Sequence, residues 1–384
     1  MLRIRSKPCL AMALCLAMAQ VPVVASAQDA PSPAAAPVPH SEQMPLATSQ
    51  ALILDVAEAA SRAVAVGDRG QVLVSESRTD WRQVADVPTR STLTAVTAVG
   101  DKVWAVGHDG TIIASADGGL TWVQQRRDVL DTSGEAEFDP RQGVPLLDIL
   151  MLDATNGLAV GAYSQLLRTE DGGSTWIFVP TKAGAADETP AEDEAAAADE
   201  TEVGNEDSWT LSDDDLAMED IAEPHMNAIA RTGSGALMIV GERGTAFRSR
   251  DAGMSWERIK LPYGGSMFGV IGYEGDHVVA FGMRGHAYES HDLGSSWQEI
   301  DTGTDLGLMA GAAMGEDGFA LVGANGIVLT RSDATSAPVS HLYTNANQET
   351  PVLAAVLVRS NRSLVVAGEK GVDGYTPSSA GKGE

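Results

Sequence analysis

The chain has 384 residues and a formal net charge of −27, with 53 acidic side chains against 26 lysines and arginines. Binding along a nucleic-acid backbone needs a positive surface, so this balance argues against a nucleic-acid partner. The negative charge is concentrated, because residues 181–225 hold sixteen acidic residues and one base, Lys182, which accounts for −15 of the −27.

The first 27 residues have the three parts of a secretory signal peptide. Arg3, Arg5 and Lys7 form the charged start, "CLAMALCLAMAQVPVV" is the apolar run, and "ASA" before Gln28 is a small-residue cleavage site. We therefore predict an exported, periplasmic protein whose residues 1–27 are removed.

The two cysteines of the chain, Cys9 and Cys15, both lie in this signal. A lipoprotein is disfavoured because they follow Pro8 and Leu14, where a lipid-attachment cysteine follows a small residue. The mature chain is therefore predicted to have no thiol, disulfide or cysteine-ligated metal. No later apolar run approaches the roughly 18 residues that span a bilayer.

A repeat runs through the rest of the chain: a short apolar strand ends in glycine, a two-residue turn follows, and a second strand begins. The first glycine of each turn is at position 67, 107, 161, 241, 282, 323 or 368. The ground period of about forty residues, with four short strands a to d in each unit, is typical of propeller blades. The sequence predicts an all-β fold, a seven-bladed β-propeller with Asp-box turns.

The repeats also set the predicted boundaries. We place a Pro/Ala-rich linker at 28–44, the propeller at 45–376 with an acidic insertion at about 181–224, and a tail at 377–384. The insertion opens with a low-complexity stretch that is too charged to fold alone. The seventh unit lacks a strand d that begins with tryptophan, so a strand within Met44 to Ser49 is predicted to complete that blade and remove its open edge.

A second motif, S/T-x-D-x-G-x-S/T-W, occurs four times between strands c and d, as in "SADGGLTW". This is the Asp box, or BNR repeat. An aspartate in a tight turn accepts backbone N–H groups, glycine gives backbone freedom, and tryptophan adds a large packing surface. A structural role is predicted for Asp117, Trp122, Asp171, Trp176, Asp251, Trp256, Asp292 and Trp297.

Sialidases also carry Asp boxes on propellers, so a sialidase-like glycoside hydrolase is the alternative function. The arginine motif that accompanies sialidases is absent, and no nucleophile elbow, phosphate loop or H-E-x-x-H zinc motif occurs. A pair of catalytic carboxylates stays possible, although nothing in the sequence singles one out. His286 and His291 are interpreted as surface histidines, and we predict no catalytic residue, metal or cofactor.

The b-to-c turns and the d-to-a connections are expected on one face of the propeller. On that face "GDRG", "GERG", "GMRG" and "GEKG" put a base at the same place in four units. Arginines can bind partner carboxylates through two parallel hydrogen bonds, although basic residues are also ordinary solvated turn residues. The predicted partner-binding residues are Arg69, His108, Tyr163, Arg243, Arg284 and Lys370.

The combination of seven repeats, G-x-R-G turns and Asp boxes resembles the Ycf48/Hcf136-like family, seven-bladed photosystem II assembly factors with relatives in non-photosynthetic bacteria. The resemblance covers about Ala51 to Tyr375 and is clearest in "VGHDGTIIASADGGLTW" and "VGERGTAFRSRDAGMSW". It implies a non-enzymatic scaffold or assembly factor, with Arg69, Arg243 and Arg284 in the place of an arginine patch that receives a membrane-protein segment.

The resemblance also implies a class of partner. Some bacterial relatives are associated with RND-type exporters. The expected partner is therefore an extracytoplasmic segment of a membrane protein complex, such as an RND-type transporter, and the protein itself is expected to be a monomer. The acidic insertion after the third unit departs from the photosynthetic pattern, so the identity of the partner stays open.

Overall fold

The computed structural model describes residues 38–128, 141–181 and 223–378. Within these ranges the strands form seven antiparallel sheets, six with four strands and one with three, and neighbouring strands in each sheet are consecutive in the chain. This is the up-and-down order of propeller blades. The predicted all-β, seven-bladed propeller is confirmed.

The first four blades have the following strands. Blade 1 contains β1 (Ile53–Glu58), β2 (Ala63–Gly67), β3 (Val72–Ser75) and β4 (Arg82–Gln83). Blade 2 contains β5 (Leu93–Val99), β6 (Lys102–Gly107), β7 (Ile112–Ser115) and β8 (Val123–Arg126). Blade 3 contains β9 (Leu146–Met151), β10 (Gly157–Gly161), β11 (Leu166–Thr169) and β12 (Ile177–Phe178). Blade 4 contains β13 (Met226–Arg231), β14 (Leu237–Gly241), β15 (Thr245–Ser249) and β16 (Glu257–Lys260).

The last three blades and one short helix complete the described elements. Blade 5 contains β17 (Met267–Gly272), β18 (Val278–Gly282), β19 (Ala287–Ser290) and β20 (Gln298–Glu299). Blade 6 contains β21 (Leu308–Ala313), β22 (Phe319–Gly323), β23 (Ile327–Arg331) and β24 (Val339–Leu342). Blade 7 contains β25 (Leu353–Val358), β26 (Leu364–Gly368) and β27 (Gly371–Tyr375). Helix α1 (Ala47–Gln50) precedes blade 1, and three short 3-10 turns span Asp68–Gly70, Met283–Gly285 and Ala324–Gly326.

Strand a of each blade lies at the centre of the ring, where consecutive inner strands pack side by side and β25 of blade 7 returns to β1. Strand b, such as "AVAVG" at Ala63–Gly67, is buried along its length except at Lys102, the first residue of β6, because neighbouring blades cover both of its faces. Seven apolar clusters fill the seven interfaces between blades. Full burial of a large aliphatic side chain there stabilises the fold by roughly 1.5–3 kcal/mol.

Blade 7 is closed differently from the prediction. Its sheet has three strands, and the segment from Met44 to Ser49 forms no strand, since Ala47–Gln50 is helical. The residue just after α1 reaches the blade, because the Gly371 N–H donates to the Ala51 carbonyl oxygen over 2.9 Å.

The physical reason for this difference lies in the residues just upstream. The Ser41 N–H donates to the Val87 carbonyl oxygen, and the Met44 N–H donates to Oε1 of Gln83. These bonds hold the end of the predicted linker on blade 1, so only one helical turn remains to cross to blade 7.

Several predicted segments lie outside the described residues: the signal peptide at 1–27, the linker up to residue 37, most of the acidic insertion at 182–222, and the end of the tail at 379–384. Within the described ranges, no helix has the length and apolar character needed to cross a membrane.

Candidate functional site

The predicted partner-binding residues lie on one face, which we call the turn face: the b-to-c turns together with the d-to-a connections that border them. Backbone contacts join the two sets. A Cβ at Gly70 would lie 2.2 Å from the Thr89 carbonyl oxygen, and one at Gly285 would lie 2.0 Å from that of Thr304. Only glycine permits this close approach. The c-to-d turns lie at the opposite end of the strands, on the Asp-box face.

The third residue of most b-to-c turns has a left-handed backbone. The φ angles are 53° at Arg69, 54° at Arg243 and 54° at Arg284. The same conformation occurs at Asp109, Tyr163 and Asn325 in the other turns. A left-handed residue therefore sets the direction of one side chain in each of six turns, and in five of them glycine follows it, the exception being Ser164 after Tyr163.

Two of the predicted residues occupy other positions. Blade 2 places Asp109 at the third position, so His108 is the second residue of its turn. In blade 7, Gly368 pairs directly with Gly371, which makes that turn shorter, and Lys370 has no left-handed backbone. The prediction that Lys370 is structurally equivalent to the three arginines is wrong.

The turn face is charge-balanced. All six predicted residues are exposed, but the seven turns contain as many acids as arginines and lysines, the acids being Asp68, Asp109, Glu242 and Glu369. Nε of Arg69 lies 3.7 Å from Oδ2 of Asp68, and Nζ of Lys370 lies 3.4 Å from Oε1 of Glu349. Neighbouring carboxylates thus offset much of the positive charge that the sequence suggested.

Arg284 differs from the other bases because its turn contains Met283 instead of an acid. Its guanidinium forms no hydrogen bond or ion pair with any residue that the structure describes. Met283 is 38% exposed. Arg284 also lines a surface hollow of about 440 Å³ together with His286, Glu299 and Thr304.

Aromatic rings border this arginine. The rings of Tyr263 and His286 stack with their centroids 3.9 Å apart, and Nδ1 of His286 lies 3.2 Å from Oε1 of Glu299. Blade 5 therefore combines a guanidinium that forms no ion pair within the described chain with apolar and aromatic surface, which is the composition of a protein-binding patch.

Tyr163 has a second environment on the turn face. Its ring, which is 54% exposed, meets His225 edge-on with centroids 5.0 Å apart. The Ser164 N–H donates to the Pro224 carbonyl oxygen over 2.9 Å, and the His225 N–H donates to Oε2 of Glu242. The returning end of the insertion thus packs between the turns of blades 3 and 4.

The Asp-box carboxylates are engaged in their own turns. Oδ1 of Asp117 accepts the N–H groups of Leu120 and Thr121 at 3.0 and 2.9 Å, and its Oδ2 accepts the Thr121 hydroxyl at 2.7 Å. Burial raises the pKa of Asp117, but hydrogen bonds from Thr121, Ser115 and Leu120 outweigh burial and lower the pKa to about 2. The ionised carboxylate of Asp117 is therefore fixed by hydrogen bonds and stabilises the turn.

The other three boxes repeat this geometry, and their tryptophans pack towards the preceding blade. The carboxylates of Asp171, Asp251 and Asp292 accept the N–H and hydroxyl of the residue four positions later. Trp122 joins the cluster between blades 1 and 2, and Trp176, Trp256 and Trp297 pack against the equivalent interfaces. Asp333 braces the turn of blade 6 in a similar way without a tryptophan.

Replacing Asp117 with alanine is expected to lower the free energy of unfolding by about 1–3 kcal/mol, because backbone N–H groups of the turn lose their acceptor. Urea denaturation measures the change. Asp305→Ala is the control, since Asp305 is exposed and has no hydrogen bond or ion pair within the described part of the chain. Equal midpoints for the two variants would contradict the bracing role.

Sequence reasoning missed two carboxylates on the inner strands. Asp55 accepts the N–H of Val96 at 2.8 Å, from blade 1 to blade 2, and Asp148 accepts that of Ile229 at 2.8 Å, from blade 3 to blade 4. Each also accepts the N–H of its own following residue. An inner strand pairs on one side only, so these N–H groups at its free edge have no strand partner. The two aspartates thus link neighbouring blades through hydrogen bonds.

Both aspartates have a pKa well above the usual value for this side chain. Burial raises the pKa of Asp55 to about 7, and the negative charge of Asp148 adds to this shift. Burial also raises the pKa of Asp148 to about 7. Backbone hydrogen bonds act in the opposite direction. An alignment of the strand-a repeats would have revealed both residues, because the equivalent positions hold alanine or glycine in the other blades.

A second missed group joins blades 5 and 6 on the Asp-box face. His277 and Glu289 of blade 5 and Arg331 of blade 6 are all buried. Oε1 of Glu289 lies 2.7 Å from Nε2 of His277 and 2.7 Å from Nη2 of Arg331. No local motif carries these residues, since they come from different turns and strands.

No family model matches the chain, and neither does any curated protein sequence. Solved structures with a similar fold include one described as YCF48 bound to D1 peptide, with a TM-score of 0.58 and 16% identity over 86% of this chain and 93% of that one. YCF48 from Cyanidioschyzon merolae has a TM-score of 0.57 and 14% identity over 86% of this chain and 96% of that one. A streptogramin B lyase structure has a TM-score of 0.60 and 12% identity over 85% and 94%.

These neighbours agree with the expected Ycf48-like propeller. One of them is a lyase, so the fold admits both binding proteins and enzymes, and function has to be argued from sites. At these identities the chain is shown to share the propeller fold.

Proposed function

We propose that this protein is a non-enzymatic periplasmic scaffold or assembly factor of the Ycf48/Hcf136-like type. It holds an extracytoplasmic segment of a membrane protein complex, of the photosystem-assembly or RND-transporter kind, on its turn face. The observation that carries the proposal is the exposed Arg284, which has no ionic partner in the described chain, follows the exposed Met283 and lines the same hollow as His286. Export rests on the predicted signal peptide.

The chemistry of this patch defines the segment that it fits. A guanidinium without a counter-ion binds a carboxylate through parallel hydrogen bonds, and apolar neighbours exclude water and strengthen that pair. Met283 adds a polarisable, adaptable contact. The expected ligand is an extended peptide that places a carboxylate next to an apolar side chain. The likeness to a YCF48 structure described as bound to D1 peptide supports this choice.

Arg69 and Arg243 are assigned a secondary role on the same face. Arg69 shares its charge with Asp68, and Glu242 precedes Arg243 in its turn. A partner that approaches either arginine meets a nearby carboxylate, so these turns contribute orientation more than affinity.

The sialidase-like alternative has little support from the carboxylates of the Asp boxes. Their oxygens are occupied by turn hydrogen bonds, and hydrogen bonding keeps their pKa values low, which is unsuitable for a general acid. A screen with fluorogenic glycosides tests this alternative. Turnover abolished by a single carboxylate substitution would favour a hydrolase over a scaffold.

Arg284→Glu is expected to reduce recovery of a membrane partner at least tenfold in an affinity pull-down from detergent-solubilised membranes. The reversed charge repels the carboxylate that the wild-type residue attracts. The readout is the partner identified by mass spectrometry with the wild type and quantified with each variant. The triple variant Arg69→Glu, Arg243→Glu and Arg284→Glu is expected to abolish recovery.

The matched control is Lys102→Glu, the same change of charge on an exposed lysine next to the a-to-b turn of blade 2, at the Asp-box end of the propeller. It should recover the partner as well as the wild type. Equal losses for Arg284→Glu and Lys102→Glu would indicate a nonspecific charge effect, and full recovery with the triple variant would place the binding surface elsewhere.

A further inference from the structure

We propose that His277, Glu289 and His291 form a binding site for one divalent transition-metal ion, with Zn²⁺ the best-suited ion, on the Asp-box face between blades 5 and 6. Two imidazoles and a carboxylate are a donor set that Zn²⁺ accepts, with a water or other ligand completing four-coordination. This site is separate from the turn face and does not depend on the proposed function.

The backbone places the three donors together. Strands β18 and β19 are antiparallel with Val278 opposite Ser290, so His277 and His291 are the next opposing pair. Glu289 and His291 are two positions apart and project from the same side. One donor atom from each residue lies within 4.8 Å of the others, and the two imidazole centroids are 4.2 Å apart.

The surroundings of His277 match those of a metal-bound histidine. Its Nε2 lies 2.7 Å from Oε1 of Glu289, inside the cluster, while its Nδ1 lies 3.3 Å from Oδ1 of Asp317. A histidine ligand usually donates its second ring N–H to a carboxylate, which fixes the tautomer that binds metal. Tyr273 stacks on the other side of the ring with centroids 4.5 Å apart and limits its rotation.

Arg331 holds Glu289 in place as an ionised ligand. Arg331 donates from Nη1 to Oε2 at 2.9 Å and from Nη2 to Oε1 at 2.7 Å. Burial opposes the charge of Glu289, but hydrogen bonds from His277 and Arg331 outweigh burial and lower the pKa to about 2. When Oε1 turns to a metal ion, Oε2 keeps its bond to Arg331, as ligating carboxylates commonly do.

Charge and access also suit a cation. Glu289 and Asp317 carry two negative charges against the one positive charge of Arg331, and a divalent ion offsets the difference. His277 is 4% and Glu289 is 9% exposed, so these ligands are largely shielded from water. His291 is exposed and forms the open side, through which an ion enters and where a water ligand fits.

The test titrates Zn²⁺ into the full mature chain after chelator treatment, with a chromogenic zinc chelator as competitor. The wild type is expected to bind one equivalent of Zn²⁺ at this site. His291→Gln should weaken that binding at least tenfold, because it removes one ligand without touching the buried pair of Glu289 and Arg331. His40→Gln is the matched control, because His40 is exposed and lies outside both proposed sites, and it should bind as the wild type does.

Because all three proteins keep the acidic insertion, nonspecific zinc binding to its carboxylates cancels in the comparison. Co²⁺ provides a second readout: the wild type should give visible absorption bands characteristic of four-coordination, and His291→Gln should lose them. Equal Zn²⁺ affinity of the wild type and His291→Gln would overturn the proposal. No Zn²⁺ binding by the wild type under competition would overturn it as well.

Discussion

Lowering the pH from about 8 to about 5 is expected to raise the free energy of unfolding through Asp55 and Asp148, by roughly 2–4 kcal/mol for the pair, which is less than a full conversion of the two pKa shifts because both side chains are only half-buried. Both groups have a pKa of about 7 in the folded chain against a model value of 3.8. The folded state therefore binds more protons than the unfolded state between these values. Their contribution is complete below 3.8 and is lost as pH rises through 7.

The matching variant is Asp55→Asn combined with Asp148→Asn, measured by urea denaturation at several pH values. Each asparagine removes a titrating group but also turns an amide N–H₂ towards a backbone N–H, which lowers stability by a pH-independent amount. The informative quantity is therefore the slope of stability against pH. The double variant should lose at least half of the wild-type gain between pH about 8 and about 5.

Histidines titrate in the same range, and subtracting the double variant from the wild type removes their effect. Asp305→Asn should leave the slope unchanged. The Asp-box carboxylates have the opposite sign: a pKa lowered to about 2 at Asp251 and Asp292 means that their contribution is lost as pH falls below 3.8. If the wild type loses stability relative to the double variant between pH about 8 and about 5, the raised pKa values of Asp55 and Asp148 are contradicted.

The repeat period was enough to predict the blades, because each blade is a local unit whose strands and turns are encoded within about forty residues. The turn motifs also indicated which loops share a face. The net charge of that face differs from the prediction because acidic residues lie next to the bases in the same turns, such as Asp68 beside Arg69 and Glu242 beside Arg243.

Contacts between blades were beyond such a prediction. Asp55 reaches Val96, and Arg331 reaches Glu289, through the geometry of neighbouring repeats and not through any motif. The short helix α1 in place of the predicted strand likewise follows from where Ser41 and Met44 bind on blade 1. An alignment of the repeats would mark Asp55 as unusual, but the partners in these contacts depend on the assembled ring, so a pattern within one repeat does not predict them.

Replacing Arg331 with methionine is expected to lower the free energy of unfolding by about 3–5 kcal/mol, because Glu289 would remain buried and charged without its guanidinium partner. Arg331 also donates from Nη2 to the Asp317 carbonyl oxygen at 3.0 Å, and its guanidinium carbon lies 4.7 Å from the centroid of the Phe319 ring. Thermal and urea unfolding measure the loss. Arg250→Met is the control, since Arg250 pairs with Asp276 at the surface and exposed pairs contribute less than about 1 kcal/mol.

The same variant separates a purely structural ion pair from a metal site. Adding Glu289→Gln to Arg331→Met removes the unpaired charge and should recover part of the lost stability, which a double-mutant cycle measures. If His277, Glu289 and His291 bind Zn²⁺, the ion replaces the missing positive charge beside Glu289, so Zn²⁺ should raise the Tm of Arg331→Met more than that of the wild type. That extra rise should vanish when His291→Gln is added, whereas a structural ion pair alone gives no Zn²⁺ dependence in any of these proteins.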